Sequence, residues 1–383
     1  MDLSLSGEQN LLKSEARRFL ADKLPTTVLQ DIQDSNAGYS PEMWEQMAEL
    51  GWMALPFPEE YGGAGMGFLD LAVLLEEMGR ACFPGPYFST IVLGGLPILD
   101  VGSEKQKQEY IPKIARGEAL FTLALTEPSA RYDASAIKLK AVRDGEDYVL
   151  NGVKLFVPYA HMADYMIVVA RTNEGAKAEE GITIFIVDSK SLGITCTVLK
   201  TIDNDKLYEV LFDRVRVDRQ SILSQLSEGW SEVQKIIKWG AAAKCCEMVG
   251  GMQKVLEMTV EYAKKRVQYG RPIGNFQVIQ HYCADMATDV DGSRFVAYQA
   301  AWMINEGLNC DKEIAIAKAW TNEAYNRVVS MAHQIHGAIG FTKEYDLQFY
   351  SRQGGAASAS FGDTDFHHLC LARKMGLHGS PSR

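Results

Sequence analysis

The chain has 383 residues, of which 47% are hydrophobic, 23% charged and 10% aromatic, a composition that can bury a large core and excludes disordered and fibrous classes. Lysine and arginine total 39 against 49 aspartates and glutamates, a net charge of -10, which argues against nucleic acid as the main partner because phosphate binding needs a basic face. At roughly 100–200 residues per domain, two or three structural units are expected in one body.

The opening Met1-Asp2-Leu3-Ser4 is acidic and polar where a secretory leader would be basic and then apolar. No run reaches the ~20 apolar residues of a membrane span. The seven cysteines (Cys82, Cys196, Cys245, Cys246, Cys283, Cys310 and Cys370) are scattered, with no Cys-x-x-Cys pair, and read as reduced core residues. A soluble, cytoplasmic protein is expected.

From Ser6 to about Arg116 the apolar residues recur at helical spacing, and Ser6 with Gln9 predicts a capping box at the first helix. A Pro/Gly-rich connector runs from Pro56 to Gly67, and a helix over Leu69 to Met78 leads into the turn Phe83-Pro84-Gly85-Pro86. Between Leu120 and about Ile222 short β-branched and aromatic runs predict strands. Asn151-Gly152, inside Tyr148 to Val157, predicts a two-residue hairpin turn, with further strands over Met166 to Ala170, Ile182 to Val187 and Val210 to Val217. After Gly229 the helical period returns, with Val249, Met252, Leu256, Val260 and Ala263 on one face, then long helices around Gln277 to Asn305 and Lys312 to Ile335. The order is helix, sheet, helix.

Three segments could carry chemistry. Arg266-Val267-Gln268-Tyr269-Gly270-Arg271-Pro272, followed by Phe276-Gln277, reads either as a helix hairpin with a basic stop or as an anion site, since an Arg fork beside free amides suits a phosphate. Gln334-Ile335-His336-Gly337-Ala338 offers small residues for close backbone approach, or a plain helix cap; a helix precedes its glycines, so it is no dinucleotide fingerprint. Leu125-Thr126-Glu127-Pro128 ends a strand and enters a polar loop that either turns the chain or sets amides and hydroxyls against a bound ring.

Together with Pro58-Glu59-Glu60-Tyr61-Gly62-Gly63, Gly102-Ser103-Glu104-Lys105-Gln106-Lys107 and Tyr208-Glu209-Val210, these segments resemble the acyl-CoA dehydrogenase family over nearly the whole chain. The resemblance implies an α+β fold: an N-terminal helical domain over 1–118, a central β-barrel-like sheet domain over 119–225 and a C-terminal four-helix-bundle domain over 226–383. It implies FAD as cofactor, an acyl-CoA substrate, electron-transfer flavoprotein as redox partner, and at least a dimer, usually a tetramer. By position, Leu125 and Thr126 resemble the flavin-ring loop, and Phe156, Val157 and Pro158 the strand covering the flavin's far face. Arg266, Gln268, Phe276 and Gln277 resemble the residues that hold FAD phosphates across a subunit interface, and Gln334, Gly337 and Ala338 the segment near the adenosine end. Thr364 resembles the threonine of the family's Gly-Thr pair, which implies a cofactor contact, and Tyr132 and Gly362 resemble substrate-contacting positions.

The family's base is a Glu immediately before a Gly-Thr pair, and here Gly362 occupies that place in Phe361-Gly362-Asp363-Thr364-Asp365-Phe366. The alternative family position falls at Gly240 or Ala241. Asp363, one residue on, offers the same functional group on a shorter stem; alternatively it caps a helix starting near Thr364 or pairs with a cation such as Arg373. Asp365, His367 and His368 are weaker candidates, the histidines reading as surface or core residues. Tyr132 in the loop after Pro128, and Phe156 with Pro158 where many members carry Trp and a hydroxyl residue, are further departures around one ring. The expected activity is therefore desaturation of a non-linear (cyclic, branched or dicarboxylic) acyl-CoA with Asp363 as base. The alternative is a non-catalytic or half-catalytic partner subunit of a heteromeric acyl-CoA dehydrogenase; the assembly is thus a homotetramer in the first reading or a heterotetramer with a homologous subunit in the second. A third reading, 1,4-elimination on a ring, would draw on Asp133 or Tyr159.

Overall fold

The computed structural model describes residues 4–175 and 177–377. Met1, Asp2 and Leu3, on which the reading against a secretory leader rests, lie outside the described residues. The helices are α1 (Gly7–Lys23), α2 (Thr26–Asp34), α3 (Pro41–Glu49), α4 (Phe68–Arg80), α5 (Tyr87–Thr90), α6 (Leu96–Val101), α7 (Glu104–Ala115), α8 (Trp230–Lys265), α9 (Gln277–Asn305), α10 (Asp311–His336), α11 (Leu347–Ala359) and α12 (Thr364–Lys374). The strands are β1 (Phe121–Ala124), β2 (Lys140–Asp144), β3 (Asp147–Pro158), β4 (Tyr165–Arg171), β5 (Ile182–Asp188), β6 (Ile194–Leu199) and β7 (Leu207–Val217), with a small pair β8 (Val267–Gln268) and β9 (Arg271–Pro272). The chain forms two compact units: a helical unit of Met1–Leu29, Phe68–Phe83 and Ala241–Arg383, and a sheet unit of Gln30–Gly67 and Pro84–Gly240.

In the sheet unit seven strands run in the order β1-β4-β2-β3-β7-β6, with β5 paired to β4. β1 lies parallel to β4, and the other long pairings are antiparallel. β4 and β5 are apolar and buried along nearly their whole length, so they read as continuous hydrophobic runs. The core gathers Leu150, Met166, Val168, Phe185, Val210, Phe212 and Val215.

The hairpin expected at Asn151-Gly152 is corrected by the structure. The turn falls at Gly145-Glu146, between the paired Asp144 and Asp147, where Gly145 takes φ +68°. β3 runs on through Asn151 and Gly152 as a bulge: the register against β7 shifts there, and Asn151 Oδ1 accepts the Arg214 N–H at 2.9 Å. Gly152 has φ +148°, and a Cβ on it would stand 2.9 Å from Leu139 Cα. The dipeptide serves a bulge through the same φ freedom that suits it to a turn.

In the helical unit Ser6 and Gln9 form the expected capping box, with bonds of 3.1 and 3.0 Å. α1 packs on α4, α4 on α9, and α10 on α9, α11 and α12. Glu76 and Glu77 of α4 are buried. Glu76 accepts Lys13 Nζ at 2.9 Å and the Tyr298 hydroxyl at 2.6 Å, and lies 3.4 Å from Arg294; Glu77 takes a bidentate Arg17 at 2.7 and 2.8 Å. Burial alone would push the Glu76 carboxyl up, but Lys13 and Arg294 outweigh it and hold it below the usual range. A Cβ on Gly250 would fall 1.8 Å from the Glu76 carbonyl oxygen, so α4 and α8 meet backbone to backbone.

Candidate active site

In the sheet unit, β1 delivers Leu125, which is buried, and Thr126, which is half-buried, into the loop before β2. The loop is fixed from below. Lys154 of β3 is fully buried, and its ammonium donates to the Leu125 carbonyl at 3.0 Å and to Glu127 Oε1 at 2.8 Å. Glu127 in turn accepts the Lys138 and Leu139 amides at 2.9 and 3.0 Å. Burial draws the Lys154 amine down to about 8, against the pull of Glu127. The Leu155 amide donates to the Thr126 carbonyl at 2.8 Å, tying the loop to the strand that carries Phe156, Val157 and Pro158.

On that strand Val157 is fully buried, Pro158 half-buried and Phe156 is 47% exposed with φ +55°. A non-glycine residue in that region of φ is strained, and it turns an aromatic ring outward from the sheet unit. Tyr132 is half-buried in the loop after Ala130, whose φ is +52°. Asp133 pairs with Arg131 at 2.7 Å. Tyr159 is buried, receives the Gly85 N–H on its hydroxyl at 2.7 Å and also engages Asp205; burial raises its phenol well above the ordinary value. Its hydroxyl therefore stays protonated at neutral pH and is engaged with Asp205 rather than ionised as a base.

In the helical unit, α8 ends at Lys265 and the β8–β9 pair reverses the chain. Arg266, Gln268 and Gln277 are exposed and Phe276 is half-buried, with the Arg271 guanidinium stacked 4.2 Å from its ring centre. Gln334, Gly337 and Ala338 are exposed at the end of α10; Gly337 has φ +63°, and no atom lies within 4 Å of a Cβ built there. An unspent guanidinium and amide match the chemistry of phosphate oxygens, and an open glycine admits a close neighbour.

The loop between α11 and α12 carries the position of the expected base. Gly362 has φ +99°, and a Cβ on it would meet Phe366 Cδ1 at 2.3 Å and His367 Nε2 at 2.8 Å. Phe361 beside it has φ +56°. Asp363 is exposed and is the N-cap of α12: its Oδ1 accepts the Phe366 N–H at 2.8 Å, and its second oxygen has no hydrogen-bond partner among the described residues. No pairing with Arg373 forms among the described residues. Thr364 opens the helix and is half-buried, and Asp365 and His368 are exposed. His367 is a core residue whose ring nitrogen Nε2 lies 2.9 Å from the Phe361 carbonyl, and burial pulls it down to about 4. Gly240 and Ala241 lie inside α8, both buried and neither offering a carboxylate.

Three consecutive models of one family match the chain: an N-terminal domain over residues 6–118, a middle domain over 122–215 and a C-terminal domain over 227–376, each that of acyl-CoA dehydrogenase. The chain belongs to the acyl-CoA dehydrogenase family. Its fold is the acyl-CoA dehydrogenase fold, with helical, sheet and helical domains in that order, and the family is one of flavin-dependent oxidoreductases acting on CH–CH bonds. A probable acyl-CoA dehydrogenase of Bacillus subtilis, YngJ, is 32% identical over 98% of this chain and 100% of its own length. A 3-(aryl)acrylate reductase of Clostridium sporogenes is 32% identical over 96% of this chain and 98% of its own. The CarC subunit of the caffeyl-CoA reductase-Etf complex of Acetobacterium woodii is 31% identical over 89% and 91%. The solved FAD complex of PigA superposes with a TM-score of 0.90 at 26% identity, covering 99% of this chain and all of that one.

Three side chains build the candidate site without belonging to its motif residues. Lys154 and His367 each bond a carbonyl of a segment quoted above, Leu125 and Phe361, and Lys318 of α10 bonds the Ala357 carbonyl in the last turn of α11, just before the second of them. The signal for the lysines was present: each sits in an apolar run, Leu150 to Val157 and Ile314 to Trp320, where a charge has no place unless it is bonded.

Among the described residues no helix is long and apolar enough to cross a membrane.

Proposed function

We propose that the chain is an FAD-dependent acyl-CoA dehydrogenase that desaturates a non-linear acyl group beside its thioester carbonyl, with Asp363 as the base. The observation that carries this reading is the pairing of a closed position with an open oxygen. Position 362 has neither a side chain nor room for one, while Asp363 spends only one carboxylate oxygen on its helix cap. The other oxygen can take an α proton, and a short stem set by a cap is a well-oriented one.

FAD supplies the acceptor for the hydride that leaves the β carbon. The residues fit it: the Arg266 guanidinium and the Gln268 amide suit its phosphates, with Phe276 and Gln277 beside them, and Gln334, Gly337 and Ala338 suit the adenosine end. Leu125 and Thr126, on a loop held by Lys154, suit the edge of a planar ring, and the outward Phe156 with Val157 and Pro158 suits its face. Thr364 flanks the base, and Tyr132 is the residue we assign to the acyl side. Relatives named for aryl acrylate and caffeyl-CoA support a bulky acyl group, and the naming of one as an Etf-complex subunit supports electron-transfer flavoprotein as the redox partner. A tetramer fits the family, and free cysteines in scattered, mostly buried places fit a cytoplasmic protein.

The closure at Gly362 also favours a second reading, in which this chain is a partner subunit of a heterotetramer and leaves its own pocket silent. One experiment separates the two: anaerobic titration of the FAD-loaded protein with butyryl-, isobutyryl-, glutaryl-, cyclohexanecarboxyl- and 3-phenylpropionyl-CoA. Flavin bleaching that vanishes in Asp363→Asn with FAD retained is expected. Binding of FAD with no bleaching by any thioester would put the partner-subunit reading first, and bleaching retained in the variant would remove Asp363 as base.

A further inference from the structure

We infer that Lys318 is a positioning residue for this site: its buried ammonium clamps the last turn of α11 and so sets the loop that presents Gly362 and Asp363. The inference rests on the reading of that loop given above. Lys318 is 0% exposed and has no carboxylate within ion-pair distance among the described residues. A buried, unpaired ammonium is costly, and a core position filled for packing alone would carry an apolar side chain. It is held here by Asn322 Oδ1 at 2.7 Å, the Ala357 carbonyl at 2.9 Å and the Ser358 carbonyl at 3.5 Å. Those carbonyls are at the negative end of α11, where a cation is favoured.

The clamp continues on both sides. Asn322 Nδ2 donates to the Ser358 carbonyl at 3.1 Å. His367 Nε2 must carry the proton it places 2.9 Å from the Phe361 carbonyl, which can only accept. The carbonyls of residues 357, 358 and 361 are thus fixed from α10 and α12, and the loop between them takes two successive positive φ angles, at Phe361 and Gly362. A strained loop keeps its shape only while its surroundings over-determine it. Without the ammonium the loop relaxes, and Asp363 moves with it.

The titratable groups facing Lys318 are Lys244 and Cys245 of α8 and, from the start of α12, Asp363 and His367. Burial draws the Lys318 amine down to about 8. Above that value the clamp loses its charge, so turnover falls on the alkaline side.

The test uses the FAD-loaded protein with Lys318→Met, which preserves volume, and Lys318→Arg. Two readouts are taken: amide hydrogen exchange of the 357–366 segment against α9, and the rate of flavin reduction from pH 6.5 to 10 by whichever of the five thioesters bleaches the native protein. In Lys318→Met, exchange in 357–366 should rise about tenfold or more with α9 unchanged. kcat should fall about tenfold or more with KM within a factor of about two, and the alkaline limb near 8 should disappear. Lys318→Arg should fall between. Should Lys318→Met not fold, Asn322→Ala, which keeps the cation and removes a Ser358 contact, is read by the same rise in exchange and fall in kcat, with the alkaline limb retained. Unchanged exchange in 357–366, or raised exchange with kcat intact, overturns the inference. If no thioester bleaches the native flavin, the proposed function fails, and the exchange readout still decides the clamp.

Discussion

A Cβ built on Gly362 would lie 2.3 Å from Cδ1 of Phe366, in a backbone conformation that L side chains rarely adopt. A glutamate written in at 362 would have to hold that strained backbone and displace the Phe366 ring, so it does not recreate a base. Gly362→Glu should lose about 1–3 kcal/mol of stability from strain, read as a lower Tm, with no gain in flavin reduction by any thioester. A gain in reduction rate would show that the position is open after all.

Glu127 is buried and, among the described residues, Lys154 is its only cation within ion-pair distance, 2.8 Å away. Removing one partner of such a pair strands the other, at about 3–5 kcal/mol. Lys154→Met should therefore lower Tm sharply and release FAD, measured by flavin fluorescence on dilution, because the Leu125 carbonyl loses its donor too. The double variant Glu127→Gln, Lys154→Met should recover much of the stability.

His367 is held neutral by burial, with its folded value near 4 against 6.5 when free. Between those two values the unfolded chain binds the proton and the folded chain does not, so stability falls as pH falls from about 6.5 to about 4. The loss is on the order of 3 kcal/mol. Denaturant midpoints at pH 7 and pH 4.5 should differ less in His367→Gln than in the native chain. Equal differences would show that the acid sensitivity comes from elsewhere.

Tyr159 spends its hydroxyl on the Gly85 amide and Asp205 within the sheet unit. Tyr159→Phe should cost about 1–2 kcal/mol of stability and leave flavin reduction in place. Loss of reduction with the fold intact would return Tyr159 to the chemistry of a 1,4-elimination.

Arg266 is exposed at the end of α8, with no ion pair among the described residues. Arg266→Ala should lower FAD occupancy several-fold while the apo-protein's Tm stays within about 1–2 °C, since an exposed cation contributes little to folding. Occupancy unchanged would assign the phosphates to other donors.

Much of the fold was legible because the signals were periodic. Apolar spacing places α9 and α10 within a residue of their ends, and the β4 and β5 runs within one or two. Asn151-Gly152 misled because φ freedom is shared by turns and bulges, and only the pairing of β3 with β7 decides between them. At the candidate site the motif residues could be named from the chain, but not what holds them. Whether Asp363 caps α12 depends on where that helix starts. That Gly362 is closed depends on the Phe366 ring, four residues on, being folded back over it. Lys318 stands out in its apolar run as a charge that must be bonded, but not to what, because its partners include carbonyls, which every residue has.

The buried acids of α4 have a consequence for synthesis. Lys13 and Arg17 leave the ribosome before Glu76 and Glu77, but Arg294 and Tyr298, which complete the Glu76 shell, follow more than two hundred residues later. The first and fourth helices therefore wait, with the Glu76 shell incomplete, while the Pro84–Gly240 part of the sheet unit is translated. Folding of the helical unit is thus tied to completion of the chain, and a transcript cut short would leave an acidic helix exposed for degradation rather than a stable fragment able to compete for partners.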